Sequence, residues 1–169
     1  VDCYSCGQQD LAFSWTDVVK QDIELDKIKG QLKKRENASS VDVIWAAGSA
    51  GFFSNEEDTS IELLNYKKIL NFTFDISYLF SGKEVHFHLF SSAGGLFEGQ
   101  TAVTSLNVAK PLRPYGWLKL RQEELVNQMS GIFNYTIYRP STVYGYLPKG
   151  RLGIIAVMLS KSIKNQFIE

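Results

Sequence analysis

Residues 41–45, Val-Asp-Val-Ile-Trp, constrain the fold more than any other stretch of the chain. Their largely apolar pattern is typical of a strand buried inside a parallel sheet. This strand ends in Ala46, Ala47 and Gly48, whose small side chains let the backbone lie close to a ligand. The three residues therefore predict either a turn that faces a ligand or an ordinary connection from strand to loop.

A second predicted strand, residues 83–90, stops abruptly at the small-residue run Ser-Ser-Ala-Gly-Gly at 91–95. Within this strand His86 and His88 occupy one face, because alternate residues of a strand point to the same side. Two strand histidines can bind a metal ion, but no third ligand follows at a useful spacing. We expect packed or half-exposed histidines and no metal site.

Tyr115 and Lys119 lie four residues apart at the start of a helical pattern that runs to about Gly131. Residues at this spacing project from the same face of a helix. An ammonium group near a phenol favours the phenolate. The pair could therefore exchange a proton with a hydroxyl or carbonyl group, although the spacing alone is common on helix surfaces.

A further predicted strand, residues 134–138, leads into Arg-Pro-Ser-Thr-Val-Tyr-Gly at 139–145. The order of these motifs resembles the extended short-chain dehydrogenase/reductase family: strands, a Ser-Ser-Ala-Gly run, a Tyr-x-x-x-Lys helix, and an Arg-Pro-x-x-Val-Tyr-Gly run. The resemblance extends from about residue 15 to the end of the chain. It implies an α/β fold with a Rossmann-like, doubly wound parallel sheet.

The resemblance also implies a nicotinamide cofactor, NAD or NADP. The residues that it assigns to cofactor binding are Asp22, Ile23, Ala46, Ala47, Gly48, Asn65, Lys119, Arg139 and Pro140. Two assignments have ordinary alternatives, because Asp22 could cap a helix that begins near Leu25 and Asn65 could be a surface or helix-capping residue. Residues 8–10, where the family senses the adenosine ribose, do not distinguish NAD from NADP.

The resemblance gives catalytic roles to Tyr115, Lys119 and Ser92, with Ser91 as the alternative serine. It implies that Tyr115 removes a hydroxyl proton while hydride moves to the nicotinamide. Lys119 would support the tyrosine and hold the nicotinamide ribose. Ser92 would bind the substrate oxygen.

The resemblance further implies a nucleotide-sugar substrate, contacted by Ser92, Gly94 and Thr142. In the family's dehydratases an Asp-Glu pair follows the hydroxyl residue, whereas Ala93 and Gly94 follow Ser92 here. This difference favours epimerisation or keto/hydroxyl redox chemistry over loss of water. Thr142 stands where many relatives have an asparagine that contacts the substrate. This difference affects which substrate is bound rather than which reaction is catalysed. The alternative function is a non-catalytic dinucleotide-binding regulator or scaffold on the same fold.

In the first forty residues we predict strands at 1–7 and 17–23 and a helix at 26–37. The glycine-rich turn and strand that normally open the family's fold do not appear, and that strand is central in a doubly wound sheet. We therefore expect residues 1–169 to be an internal part of one NAD(P)-binding Rossmann-like domain. A substrate lobe would begin near residues 146–169.

The 18 basic and 18 acidic residues are interspersed and give zero formal net charge. This composition predicts neither a nucleic-acid partner nor a membrane-surface patch, and no apolar run approaches the roughly 20 residues of a membrane span. Cys3 and Cys6 form a lone Cys-x-x-Cys, which is a poor zinc site and indicates thiols in a reducing cytoplasm. A homodimer is compatible with these predictions.

Overall fold

The structure, a computed structural model, describes residues 14–34, 38–80, 84–104, 106–143 and 154–164, with only the backbone at 154–157. In chain order the elements are α1 (Val18–Lys33), β1 (Ser40–Trp45), α2 (Glu56–Leu79), β2 (Glu84–Phe90), α3 (Ala93–Leu96), α4 (Pro114–Asn127), β3 (Asn134–Tyr138) and α5 (Ile154–Ile163). The predicted α/β class is confirmed.

The three described strands form one parallel sheet in the order β1–β2–β3. In its register, Val43 lies beside Phe87, and Phe87 lies beside Tyr135. Neighbouring parallel strands require crossover connections, and α2 and α4 lie in the two crossovers. The sheet is the Rossmann-like parallel sheet that the family resemblance predicts.

The core lies between one face of this sheet and the helices. Its largest fully buried apolar side chains are Tyr66, Leu70, Ile76, Phe87, Leu89, Leu96 and Val126. The Tyr66 ring contacts Trp45 and Phe87 edge-on, with centroids 5.4 and 6.0 Å away. Ile28 and Leu32 of α1 lie four residues apart and pack against the core. Burying one such side chain contributes roughly 1.5–3 kcal/mol, so this layer holds the strands and α2 together.

The opposite face of the sheet carries mainly polar side chains, together with the exposed Ile44 and Phe90. His86 and His88 stack with ring centroids 4.4 Å apart, which confirms that they share a face. His88 Nε2 lies 2.9 Å from Asp42 Oδ1, and His88 Nδ1 lies 3.1 Å from the Tyr138 hydroxyl. Within the described ranges, no cluster of three His, Cys, Asp or Glu residues could hold a metal ion.

The strand predicted at residues 17–23 is wrong, because helix α1 begins at Val18. Asp17 is the N-cap: its carboxylate accepts hydrogen bonds from the amides of the second and third helical residues, both at 3.1 Å. Such a cap stabilises a helix by about 1 kcal/mol. Gln21 and Leu25, four residues apart, face the interior. The β-branched residues that suggest a strand, Val18, Val19 and Ile23, are all exposed.

Helix α2 begins at Glu56. Asn55 caps it by accepting a hydrogen bond from the Asp58 amide at 2.9 Å. The acidic residues at 56–58 stabilise the helix further, because their negative charges lie at the positive end of the helix dipole. None of the described helices is long and apolar enough to cross a membrane. The predicted strand at 1–7, the cysteine pair and most of residues 146–169 lie outside the described residues.

Candidate active site

The carboxyl ends of the three parallel strands meet at one edge of the sheet. The turn at residues 46–48 follows β1, the Ser-Ser-Ala-Gly-Gly run follows β2, and Arg139 follows β3. Two backbone hydrogen bonds join the last two segments: Ser91 N–H to the Tyr138 carbonyl at 2.8 Å, and Ala93 N–H to the Pro140 carbonyl at 3.0 Å. This edge is where open parallel sheets bind their ligands.

The two serines after β2 have different environments. Ser91 is buried, and its hydroxyl has no hydrogen-bond partner among the described residues. Ser92 is partly exposed and caps α3, where its Oγ accepts the Gly95 amide at 3.1 Å. Exposure therefore favours Ser92 over Ser91 as the serine that can meet a substrate.

The close approach of two glycines brings Tyr115 beside the serine run. A Cβ added to Gly116 would lie 2.2 Å from the Gly95 carbonyl oxygen, and one added to Gly95 would lie 3.1 Å from the Tyr115 ring. Side chains at either position would separate α4 from α3. Tyr115, Ser92 and Gly94 are thus gathered at the same edge, and Gly94 also lies near the backbone of Ser141.

Lys119 lies one turn after Tyr115 on α4. Its Nζ is 5.5 Å from the centroid of the Tyr115 ring, so the positive charge lies beside the phenol as the spacing predicts. The same ammonium also lies 3.2 Å from Glu62 Oε1 and 3.2 Å from Gln122 Oε1. Lys119 is only 6% exposed, so its charge acts mainly inside the protein.

Glu62 is a buried acid that the sequence patterns did not single out. It is 2% exposed and accepts the Ala50 amide at 2.9 Å. A recognisable signal exists, since Glu62 stands one helical turn before the core residue Tyr66 and therefore falls on the buried stripe of α2.

Tyr66 is the second tyrosine near this cluster. It is 0% exposed, and its hydroxyl donates to the Gln122 carbonyl at 2.9 Å. Burial, followed by the charge of Glu123, raises the pKa of the Tyr66 phenol far above its usual range. Tyr66 therefore remains protonated and belongs to the core.

Arg139 fixes the start of the loop after β3 to α4. Its Nε and Nη2 donate to the two carboxylate oxygens of Glu123 at 2.9 and 2.6 Å. These hydrogen bonds raise the pKa of Arg139, and burial opposes them. Because the guanidinium also lies 5.7 Å from the centroid of the Phe97 ring, it packs against protein groups rather than projecting freely.

Asp22 and Ile23 do not follow a strand, so the pattern used to place them against the cofactor is wrong. Both lie within α1; Asp22 pairs with Lys68 at 2.8 Å, and Ile23 is 51% exposed. The alternative that Asp22 caps a helix near Leu25 is also wrong, because the cap is Asp17.

Asn65 is neither a surface residue nor a cap. It is buried on α2, where its amide donates to the Trp15 carbonyl at 3.1 Å and its carbonyl accepts Gln21 Nε2 at 2.7 Å. These bonds attach α1 and the segment before it to α2. Thr142, the predicted substrate contact in the loop after β3, is exposed.

The fold has clear relatives among solved structures. A UDP-glucose 4-epimerase from Thermotoga maritima, solved with UDP-glucose, matches with a TM-score of 0.63 and 16% identity, over 85% of this chain and 47% of that one. A UDP-glucose 4-epimerase from Brucella ovis, solved with NAD, matches with a TM-score of 0.54 and 23% identity, over 76% of this chain and 39% of that one. The chain has the fold of the corresponding part of these two epimerase structures.

A curated protein is also similar to part of this chain in sequence. The chain is 40% identical over 86 residues to a protein of Methanocaldococcus jannaschii described as "Putative UDP-glucose 4-epimerase", which covers 46% of this chain and 28% of that protein. No protein-family model matches the chain. The resemblance predicted from the motifs is confirmed, and the chain spans less than half the length of each of these three relatives.

Proposed function

We propose that this chain carries the acid/base site of an NAD(P)-dependent enzyme that epimerises, or interconverts hydroxyl and keto forms, at one carbon of a nucleotide sugar. The observation that carries the proposal is the position of the Tyr115 ring, which lies against Gly95 of the serine run with the Lys119 ammonium 5.5 Å from its centroid. The epimerase relatives support the same chemistry.

Each residue of the trio has a distinct task. Tyr115 takes the proton of a substrate hydroxyl, and the charge of Lys119 favours the phenolate that this requires. Ser92 Oγ already accepts the Gly95 amide, which leaves its own O–H to donate to the substrate oxygen. A bound nicotinamide supplies the hydride acceptor.

The turn after β1 fits a cofactor that lies along the strand ends. Ala46 and Gly48 are exposed there, so the backbone is open to a ligand. Lys119 and Pro140 remain proposed contacts for the nicotinamide end, because the Lys119 ammonium has a third N–H besides the two directed at Glu62 and Gln122. The polar groups of Asn65 hydrogen-bond to Trp15 and Gln21, and those of Arg139 to Glu123. We therefore propose that these two residues support this edge structurally rather than contact the cofactor.

The residues beside Ser92 disfavour loss of water. Elimination needs one group to protonate the departing hydroxyl and another to remove the neighbouring proton. Ala93 and Gly94 follow Ser92, and neither carries a proton-transfer group. Hydride transfer with one proton exchange requires no such pair.

The test is a product analysis with the full natural protein. NAD and NADP are each supplied with a panel of nucleotide sugars, and products are analysed by mass spectrometry and NMR. We expect an epimer of unchanged mass or a product that differs by two hydrogens. A product lighter by one water would contradict the proposal, and cofactor binding without turnover on any sugar would support a regulator or scaffold instead.

A further inference from the structure

A buried carboxylate that the proposed reaction does not use lies directly behind the acid/base pair. Glu62 Oε1 lies 3.2 Å from Lys119 Nζ and 3.2 Å from Gln122 Nε2, and Glu62 Oε2 accepts the Ala50 amide at 2.9 Å. A buried carboxylate that accepts from three donors on two different segments is held in one position.

Gly48 allows this carboxylate to reach the turn after β1. A Cβ added to Gly48 would lie 2.7 Å from both Glu62 oxygens, so a side chain there would displace the carboxylate. Glu62 therefore links the turn at residues 46–50 to Lys119 on α4, although the two segments are far apart in sequence.

Glu62 also opposes the effect of Lys119 on Tyr115. The ammonium charge favours the phenolate, and a carboxylate paired with that ammonium cancels part of its field. Three other carboxylates on or near α4 are paired with arginines: Glu123 with Arg139, Glu98 with Arg113, and Glu124 with Arg121. Among the described residues, the carboxylate paired with Lys119 is that of Glu62.

We propose that Glu62 is a positioning residue, whose carboxylate fixes the Lys119 ammonium relative to Tyr115 and ties it to the turn at residues 46–50. The role rests on the proposed function, in which Tyr115 exchanges a proton with the substrate. The electrostatic field at the Tyr115 phenol then depends on Lys119 of α4, on Glu62 of α2, and on the turn at residues 46–50 that holds the Glu62 carboxylate.

The experiment follows the phenolate of Tyr115 directly, by near-ultraviolet absorbance as a function of pH in the full natural protein. Each background is measured with and without Y115F, and the difference isolates this tyrosine. E62Q removes the charge and keeps the shape, so we expect the midpoint of phenolate formation to fall relative to the wild type. The control E124Q removes an exposed acid of α4 paired with Arg121, and its midpoint should match the wild type.

E62D is a second variant in case E62Q does not fold, because the aspartate keeps a counter-ion for the buried ammonium. Its shorter side chain withdraws the carboxylate, so its midpoint should lie between those of the wild type and E62Q. A purely structural role would change only the melting temperature, and midpoints that equal the wild type in every folded Glu62 variant would overturn the proposal. The absorbance measurement does not depend on turnover, so the two proposals can fail separately. If the Glu62 variants shift the midpoint but Y115F keeps full activity, the proposed function is refuted and the role of Glu62 is not.

Discussion

Tyr66 and Tyr115 lie on two helices that pack against each other, α2 and α4, yet their surroundings differ in every respect that matters for proton exchange. Tyr66 is fully buried and donates to a backbone carbonyl. Tyr115 is half-buried, lies against a glycine of the serine run and has an ammonium group beside its ring.

The difference shows how one interface serves two purposes. Burial and the charge of Glu123 keep the Tyr66 phenol neutral, whereas the Tyr115 ring is partly exposed and has a cation beside it. The same pair of helices therefore contains a buried structural tyrosine, Tyr66, and a partly exposed candidate acid/base group, Tyr115. Substitutions that remove only a hydroxyl or only a charge can separate the two roles.

The largest expected effect is on turnover in Y115F. Removing the phenol oxygen should lower kcat by about 10²–10⁴-fold, the usual contribution of a general acid/base group. Folding and cofactor affinity should be retained, because the ring and its contact with Gly95 remain. Steady-state kinetics and a cofactor titration measure both, and near-normal turnover would remove Tyr115 from the mechanism.

K119M should affect both rate and cofactor binding. Loss of a charge-assisted contact is expected to weaken cofactor binding by roughly 10–100-fold, and turnover should fall as the phenolate loses its cation. The variant also leaves Glu62 buried without a counter-ion, which lowers stability. Calorimetric titration with the cofactor checks the binding, and an unchanged dissociation constant would count against the ribose role.

Y66F should show the reverse pattern. The buried Gln122 carbonyl loses its side-chain donor, so the free energy of unfolding should fall by about 1–3 kcal/mol, while kcat per folded molecule stays near the wild-type value. Chemical denaturation and kinetics measured on the same sample would show this. A large loss of turnover would mean that the two tyrosines are not functionally separate.

The same variant gives a pH test. The pKa of Tyr66 is raised in the folded state, so its contribution to stability is complete below the unfolded tyrosine pKa of about 10 and decreases as pH rises beyond it. The wild type should therefore lose stability above about pH 10 more steeply than Y66F, by up to about 1.4 kcal/mol per pH unit. Parallel slopes would contradict the burial account.

Y138F should have the smallest effect. Tyr138 is 40% exposed on the polar face of the sheet, and its hydroxyl contacts His88. Surface substitutions of this kind usually change stability by no more than about 0.5 kcal/mol, and turnover should not change. Thermal melts and the same kinetic assay provide the check; a strong effect would place the polar face in the functional site.

Local patterns were sufficient to predict β1, β2, β3 and the Tyr115 helix, because apolar patterning and the Tyr-x-x-x-Lys spacing are properties of short segments. The predicted strand at 17–23 failed because the Asp17 cap and the burial of Gln21 outweigh the strand preference of Val18 and Val19. The role of Glu62 could not be predicted in the same way. Its partner Lys119 is 57 residues away, and a charge pair of that range depends on the packing of α2 against α4.

The contact between Gly95 and Gly116 has a practical consequence for protein engineering. An added Cβ on Gly116 would overlap the Gly95 carbonyl at 2.2 Å, so mutant libraries that vary position 116 should yield almost no active clones. The loop between Phe97 and Arg113 carries exposed residues such as Val103, Leu106 and Leu112. Library diversity is better placed at these exposed positions, because varying them leaves the contact between Gly95 and Gly116 unchanged.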